Sequence, residues 1–259
     1  MVISTDEFAG FVTFALWPFL RVAALIGTAP VFSSDMVPMR IRVVMALAVT
    51  AMVLPVLPQT PSADPLSAQG VLISAQQILI GVAMGFALRL VFSALTVAGQ
   101  TVATSMGLGF ASTIDPQNGV QVPVVSQLYV ILATLLFLVF NGHLMLIEMV
   151  ARSFQSLPVA VDGLTRNGLW ALVSWGSDMF AGAMLIAMPV VASILLLNIS
   201  FGVITRAAPQ LNIFAVGFPL TIMMGFIILW LTLPGIVPQF ERLLMDGLDM
   251  TARLVGPGE

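Results

Sequence analysis

Long apolar runs, separated by short breaks rich in proline, glycine and polar residues, dominate this sequence. Six can be marked, about Phe8 to Phe32, Ile41 to Leu57, Val71 to Ala98, Val122 to Val150, Leu169 to Ile204 and Leu211 to Val237. A helix rises ~1.5 Å per residue and hydrocarbon is ~30 Å thick, so ~17–25 residues make one crossing, a range each run reaches. The pattern predicts an all-α, integral-membrane-like bundle of helical hairpins, some of them kinked or broken. The fifth run is too long for one straight crossing and carries Asp178 and Pro189. It is expected to open with a partly polar turn near Trp170 to Ser177 and to kink near the proline. The connections LPQTPSADPLSAQG, RSFQSLPVAVDGLTRNG and RAAPQLN are turn-like, and there is no low-complexity tract.

One stretch breaks the pattern. Met106 to Gln121, MGLGFASTIDPQNGVQ, is irregular chain with apolar segments on both sides. Hydrocarbon offers no partner to a free backbone N–H, so such chain must be wrapped in protein or face a water-filled path. Gly107, Gly109 and Gly119 permit turns and close backbone approach, and Asp115-Pro116 is expected to stop the preceding helix. Met106, Leu108 and Phe110 are apolar, as in a seal rather than a catalytic pocket. The two readings are a buried functional loop and an ordinary connection between membrane hairpins.

Charges inside the apolar runs narrow the picture further. Arg21 sits mid-way through the first run, Arg89 within the third and Glu148 late in the fourth, where an ionised side chain facing lipid costs from ~3 to more than ~10 kcal/mol. Gly81, Gly85 and Arg89 share one helical face, and the Gly81-xxx-Gly85 spacing predicts close packing by another helix. Arg89 is read as meeting an inter-helix or inter-subunit partner, with snorkelling to the surface as the other possibility. Glu148 and Arg152 stand at i and i+4, the spacing of a local ion pair. Asn141 and His143 are expected to hydrogen-bond at a helix end. Counted by alternate loops, Arg40, Arg42 and Arg206 oppose Arg152, Arg166, Arg242 and Arg253, a balance that sets no orientation.

Composition agrees with lipid or with partners that replace it: 59% hydrophobic, 8% charged, mean hydropathy +1.07. Net charge is -3, with nine arginines and no lysine, so no basic patch attracts nucleic acid and no phosphate loop has its lysine. The absence of cysteine excludes disulfides, thiolate metal sites and a cysteine nucleophile. His143 has no second histidine to share a metal, and no glycine-flanked serine elbow is present. Neither an enzyme nor a cofactor protein is expected. With Asp6 and Glu7 where a cleavable signal would carry basic residues, the first apolar run is expected to be retained. A secondary transporter using intramembrane Arg and Glu is the competing class, although the halves show no repeat.

Three blocks carry a resemblance: GVAMGFALRLVFSALTVAGQTVATSMGLGFASTIDPQNGVQVPVVSQ at 81 to 127, LLFLVFNGHLMLIEMVARSFQSLPV at 135 to 159, and PVVASILLLNISFGVITRAAPQLNIFAVGFPLTIMMG at 189 to 225. Together they resemble the FliR family of flagellar type III export-gate subunits, homologous to the SctT subunits of injectisomes. RAAPQLNIF followed by GFPL is the most specific part, and GFPLTI at Gly217 to Ile222 favours the flagellar branch.

The resemblance implies a non-enzymatic subunit of a helical hetero-oligomeric gate in the bacterial inner membrane, at the flagellar basal body. Its partners would be FliP and FliQ, together with FlhB and FlhA, and its substrates unfolded flagellar proteins. Residues 1–168 would be the FliP-like part and 169–259 a FliQ-like hairpin with a tail. Met106, Gly107, Leu108, Gly109, Phe110, Asp115, Pro116 and Gly119 would belong to a pore plug. Arg21, Arg89, Asn141, His143, Glu148, Asp178, Arg206 and Gln210 would make polar contacts between helices or subunits.

Overall fold

A computed structural model of the chain describes residues 5–34, 36–57, 63–109, 112–114, 121–207 and 213–256. These residues form eight α-helices: α1 (Thr5–Thr28), α2 (Met39–Val53), α3 (Ala68–Ser105), α4 (Val124–Val139), α5 (Gly142–Ser156), α6 (Arg166–Ala207), α7 (Ile213–Thr232) and α8 (Ile236–Val255). Two three-residue strands, β1 (Ser112–Ile114) and β2 (Gln121–Pro123), pair antiparallel with Ser112 opposite Pro123. The all-helical expectation holds apart from this ladder, which adds local regularity to a stretch read as wholly irregular.

Each of the six apolar runs carries helix. Among the described residues, α3, α6 and the Gly217–Val255 run of α7 and α8 are long and apolar enough to cross a membrane. The pair α4 and α5 makes a fourth if its bend is counted as a break within one span. That break falls at Asn141, which takes the left-handed conformation at φ 56°, a state asparagine tolerates better than most residues. With 15 residues, α2 is too short to span. The Leu54–Val56 turn shortens the second run and Asn141 divides the fourth, in line with the expectation of kinked or broken segments.

One expectation is corrected. Trp170 to Ser177 forms no turn: α6 is helical from Arg166. Leu172, Trp175, Met179, Ala183 and Ile186 recur at helical spacing on the buried side, while Ser174, Ser177 and Asp178 ride the exposed one. The residues beyond the last apolar run, read as a tail, are helical in α8 as far as Val255. Its buried Ile236, Phe240, Leu243, Leu244, Met250 and Leu254 define one stripe, and Glu241, Arg242, Asp246, Asp249 and Arg253 lie outside it.

The chain divides into two compact units. One comprises Met1–Leu90, Asn141–Gly176 and Met245–Glu259; the other comprises Val91–Phe140 and Ser177–Leu244. In the first, α1 packs on α2, and Trp17 Nε1 donates to Ser74 Oγ of α3 at 3.2 Å. Gly81 and Gly85 press α3 against the backbone of α1. A Cβ on Gly81 would fall 2.8 Å from Ala24 Cβ, and one on Gly85 2.9 Å from the Ala29 nitrogen. In the second unit, Phe92 of α3 packs edge-on against Phe137 at 5.8 Å and Phe240 at 6.0 Å between ring centroids.

Candidate functional site

Helix α3 ends ten residues before Asp115-Pro116, at a stop encoded by Gly107. Leu108 N–H donates to the Ala103 carbonyl at 2.8 Å, Gly107 N–H donates to that of Thr104 at 3.1 Å, and Gly107 holds φ at 77°. This is the paired 6→1 and 5→2 bonding of a Schellman cap, in which a residue with a Cβ would be strained. The expectation that Asp115-Pro116 stops the helix is therefore corrected: the left-handed glycine acts first.

The residues at the cap seat against α7 within the same unit. Met106 is fully buried, and a Cβ on Gly225 would lie 2.7 Å from its Cε and 2.9 Å from its Cγ. A Cβ on Gly107 would lie 3.0 Å from Phe218 Cε2. Beside these contacts opens a cavity of about 400 Å³, bordered by Met106, Phe201 and Phe218 with Thr104, Asn198 and Thr221. Leu108 is half-buried and Gly109 exposed, with nothing within 4 Å of a Cβ built there. Phe110, Asp115, Pro116 and Gly119 lie outside the described residues, as does Gln210.

Arg21 lies in the first unit, fully buried, and has no carboxylate partner among the described residues. Its Nε donates to Gln77 Oε1 at 2.8 Å, one Nη donates to the Ser153 carbonyl at 3.0 Å and hydroxyl at 3.1 Å, and the other donates to the Leu157 carbonyl at 2.9 Å. The guanidinium carbon stands 4.1 Å from the centre of the Phe154 ring. Ser153 to Leu157 is the C-terminal turn of α5, where unpaired carbonyls and the negative end of the helix dipole favour a cation. A helix end thus takes the place of a counter-ion. Because arginine only donates, the Gln77 amide orientation is fixed, and its Nε2 is left buried without a partner among the described residues.

The remaining candidates are more exposed. Arg89, Asp178 and Arg206 are exposed on α3 and α6. Glu148 and Arg152 form an i, i+4 pair at 2.5 Å, with side chains 60% and 76% exposed. Asn141 makes no side-chain cap bond, and His143 Nδ1 is buried with no partner among the described residues. The backbone carbonyl of Asn141 accepts from Leu144 and Met145 at 2.9 and 3.1 Å.

Residues 12–247 match the family described as Bacterial export proteins, family 1. A relative from Escherichia coli (strain K12), named flagellar biosynthetic protein FliR, is 36% identical over 98% of this chain and 97% of its own. The FliR of Pectobacterium carotovorum is 38% identical over the same shares, and that of Aquifex aeolicus 32% over 94% and 93%. The chain belongs to the FliR family.

As a FliR-family member it is a component of flagellar protein export, and its apolar helices fit a membrane location. The names of its relatives denote biosynthetic and export proteins rather than enzymes. Sequence reasoning about this FliR-family chain missed Gln77, Ser153, Phe154, Phe218 and Gly225. The available signals were a glycine on the otherwise bulky α7 and polar residues on otherwise apolar faces. Neither signal names its partner, because the contacts join residues far apart in sequence.

Proposed function

We propose that this FliR-family chain is a core subunit of the flagellar export gate, forming with FliP- and FliQ-like subunits a channel for unfolded flagellar proteins across the inner membrane. FlhB and FlhA complete its surroundings, residues 1–168 act as the FliP-like part and 169–259 as the FliQ-like part, and the chain performs no chemistry of its own. Met106 to Gln121 serves as the plug that keeps the resting pore closed to ions.

The observation that carries this reading is the uncovered apolar surface of the two C-terminal spans. Their most apolar windows are 33% buried in α6 and 17% in Gly217–Val255, against 67% in α3. Trp170, Leu196, Val203, Trp230 and Leu231 are among the large side chains left outside. Surface of this extent needs lipid or sister subunits, and a gate built from several copies of similar helices supplies both. A loop rich in glycine and apolar side chains can exclude water from a pore and still yield to a chain pushed through it.

Deleting residues 108 to 118 in cells that carry the assembled gate tests the reading. The expected result is membrane leak of small ions; unchanged conductance would reduce the stretch to a plain connection. A secondary transporter would instead give saturable solute uptake by this chain alone in liposomes, and the gate subunit gives none.

A further inference from the structure

We propose that Gly225 and Phe218 of α7 form a socket for the root of the loop, so that α7 governs whether the loop stays closed. This rests on the plug reading above. Met106 and Gly107 are the first two residues beyond α3, and they meet different features of α7. Met106 lies where the absence of a side chain at Gly225 leaves room for it, in contact from Cγ to Cε. Gly107 presents its bare Cα to the edge of the Phe218 ring, and its left-handed backbone directs the chain away from the α3 axis. One contact fixes how deep the root sits, and the other fixes the point where the chain turns.

The socket has room to rearrange. Met106 is fully buried, yet it also borders the cavity of about 400 Å³, which offers space to receive it. Methionine is unbranched and adapts to such a change at little cost. Phe218, 51% exposed on the rim of that cavity, can rotate away from Gly107 without leaving the core short of packing. A displacement of α7 would therefore free the loop root without unwinding α3, making Gly225 and Phe218 positioning residues for the gate.

The test uses cells carrying the complete export gate, with leak of small ions and yield of the assembled complex measured together. Gly225→Ala forces Met106 from its seat and is expected to raise leak several-fold at unchanged yield. Adding Met106→Ala removes the crowding atoms and is expected to bring leak back toward the parent. Phe218→Ala, on a half-exposed position, is expected to leak as well, and it decides the matter if Gly225→Ala lowers the yield. If deletion of 108 to 118 leaks while Gly225→Ala assembles normally and stays tight, or while Phe218→Ala stays tight, the socket is overturned and the plug reading survives. A tight deletion variant would remove both.

Discussion

Arg21 donates to Ser153 twice, to the backbone carbonyl at 3.0 Å and to the hydroxyl at 3.1 Å, across 132 positions of sequence. With the bond to Leu157 it caps the C-terminal end of α5 from a different helix. Removing one member of such a buried group leaves the others desolvated and unpaired.

Arg21→Leu is expected to destabilise the protein by about 3 kcal/mol, the cost of several stranded acceptors. Arg21→Lys should recover only part, since one ammonium cannot reach Gln77, Ser153 and Leu157 in the forked arrangement of a guanidinium. Thermal unfolding of the detergent-purified complex checks both. An Arg21→Leu protein that melts with the parent would show that the cap is dispensable.

Gly81→Ala places a methyl group on the α1 backbone and should cost about 2 kcal/mol by forcing α1 and α3 apart. Gly27→Ala meets nothing within 4 Å and should be neutral or gain up to ~1 kcal/mol from helix propensity. The same melting experiment compares them; equal effects from the two substitutions would mean that the close approach at Gly81 carries no energy.

Within the loop root, Gly107 and Gly109 are expected to respond differently. Gly107→Val opposes φ of 77° and crowds Phe218, so export should fall sharply, whereas Gly107→Asn should be milder because asparagine tolerates the left-handed region. Gly109→Val has open space and should affect export less. Motility in soft agar reports the order, and a Gly109 variant as impaired as Gly107→Val would contradict it.

Glu148→Gln breaks only an exposed pair and should change stability by less than ~0.5 kcal/mol. Export at the parental rate is the expected companion result. A strong export defect at normal stability would reveal a functional role for this carboxylate that the local pair does not explain.

The sequence by itself determined what depends on composition and local periodicity, an all-helical, apolar protein with charges inside its apolar runs and an irregular stretch after α3, while its motif blocks carried the resemblance to an export family. A charge amid apolar residues has to find partners, and a glycine-bearing break has to interrupt a helix, whatever surrounds them. Tertiary structure alone decided that Arg21 is satisfied by a helix end instead of an acid, that Gly107 stops α3 before Asp115-Pro116, and that Gly225 makes room for Met106. It also divided the fourth apolar run at Asn141 and shortened the second to the 15 residues of α2. The reason is physical: apolarity and backbone preference act on each segment locally, while counter-charges and close contacts are supplied by residues dozens of positions away, whose identity no local pattern contains.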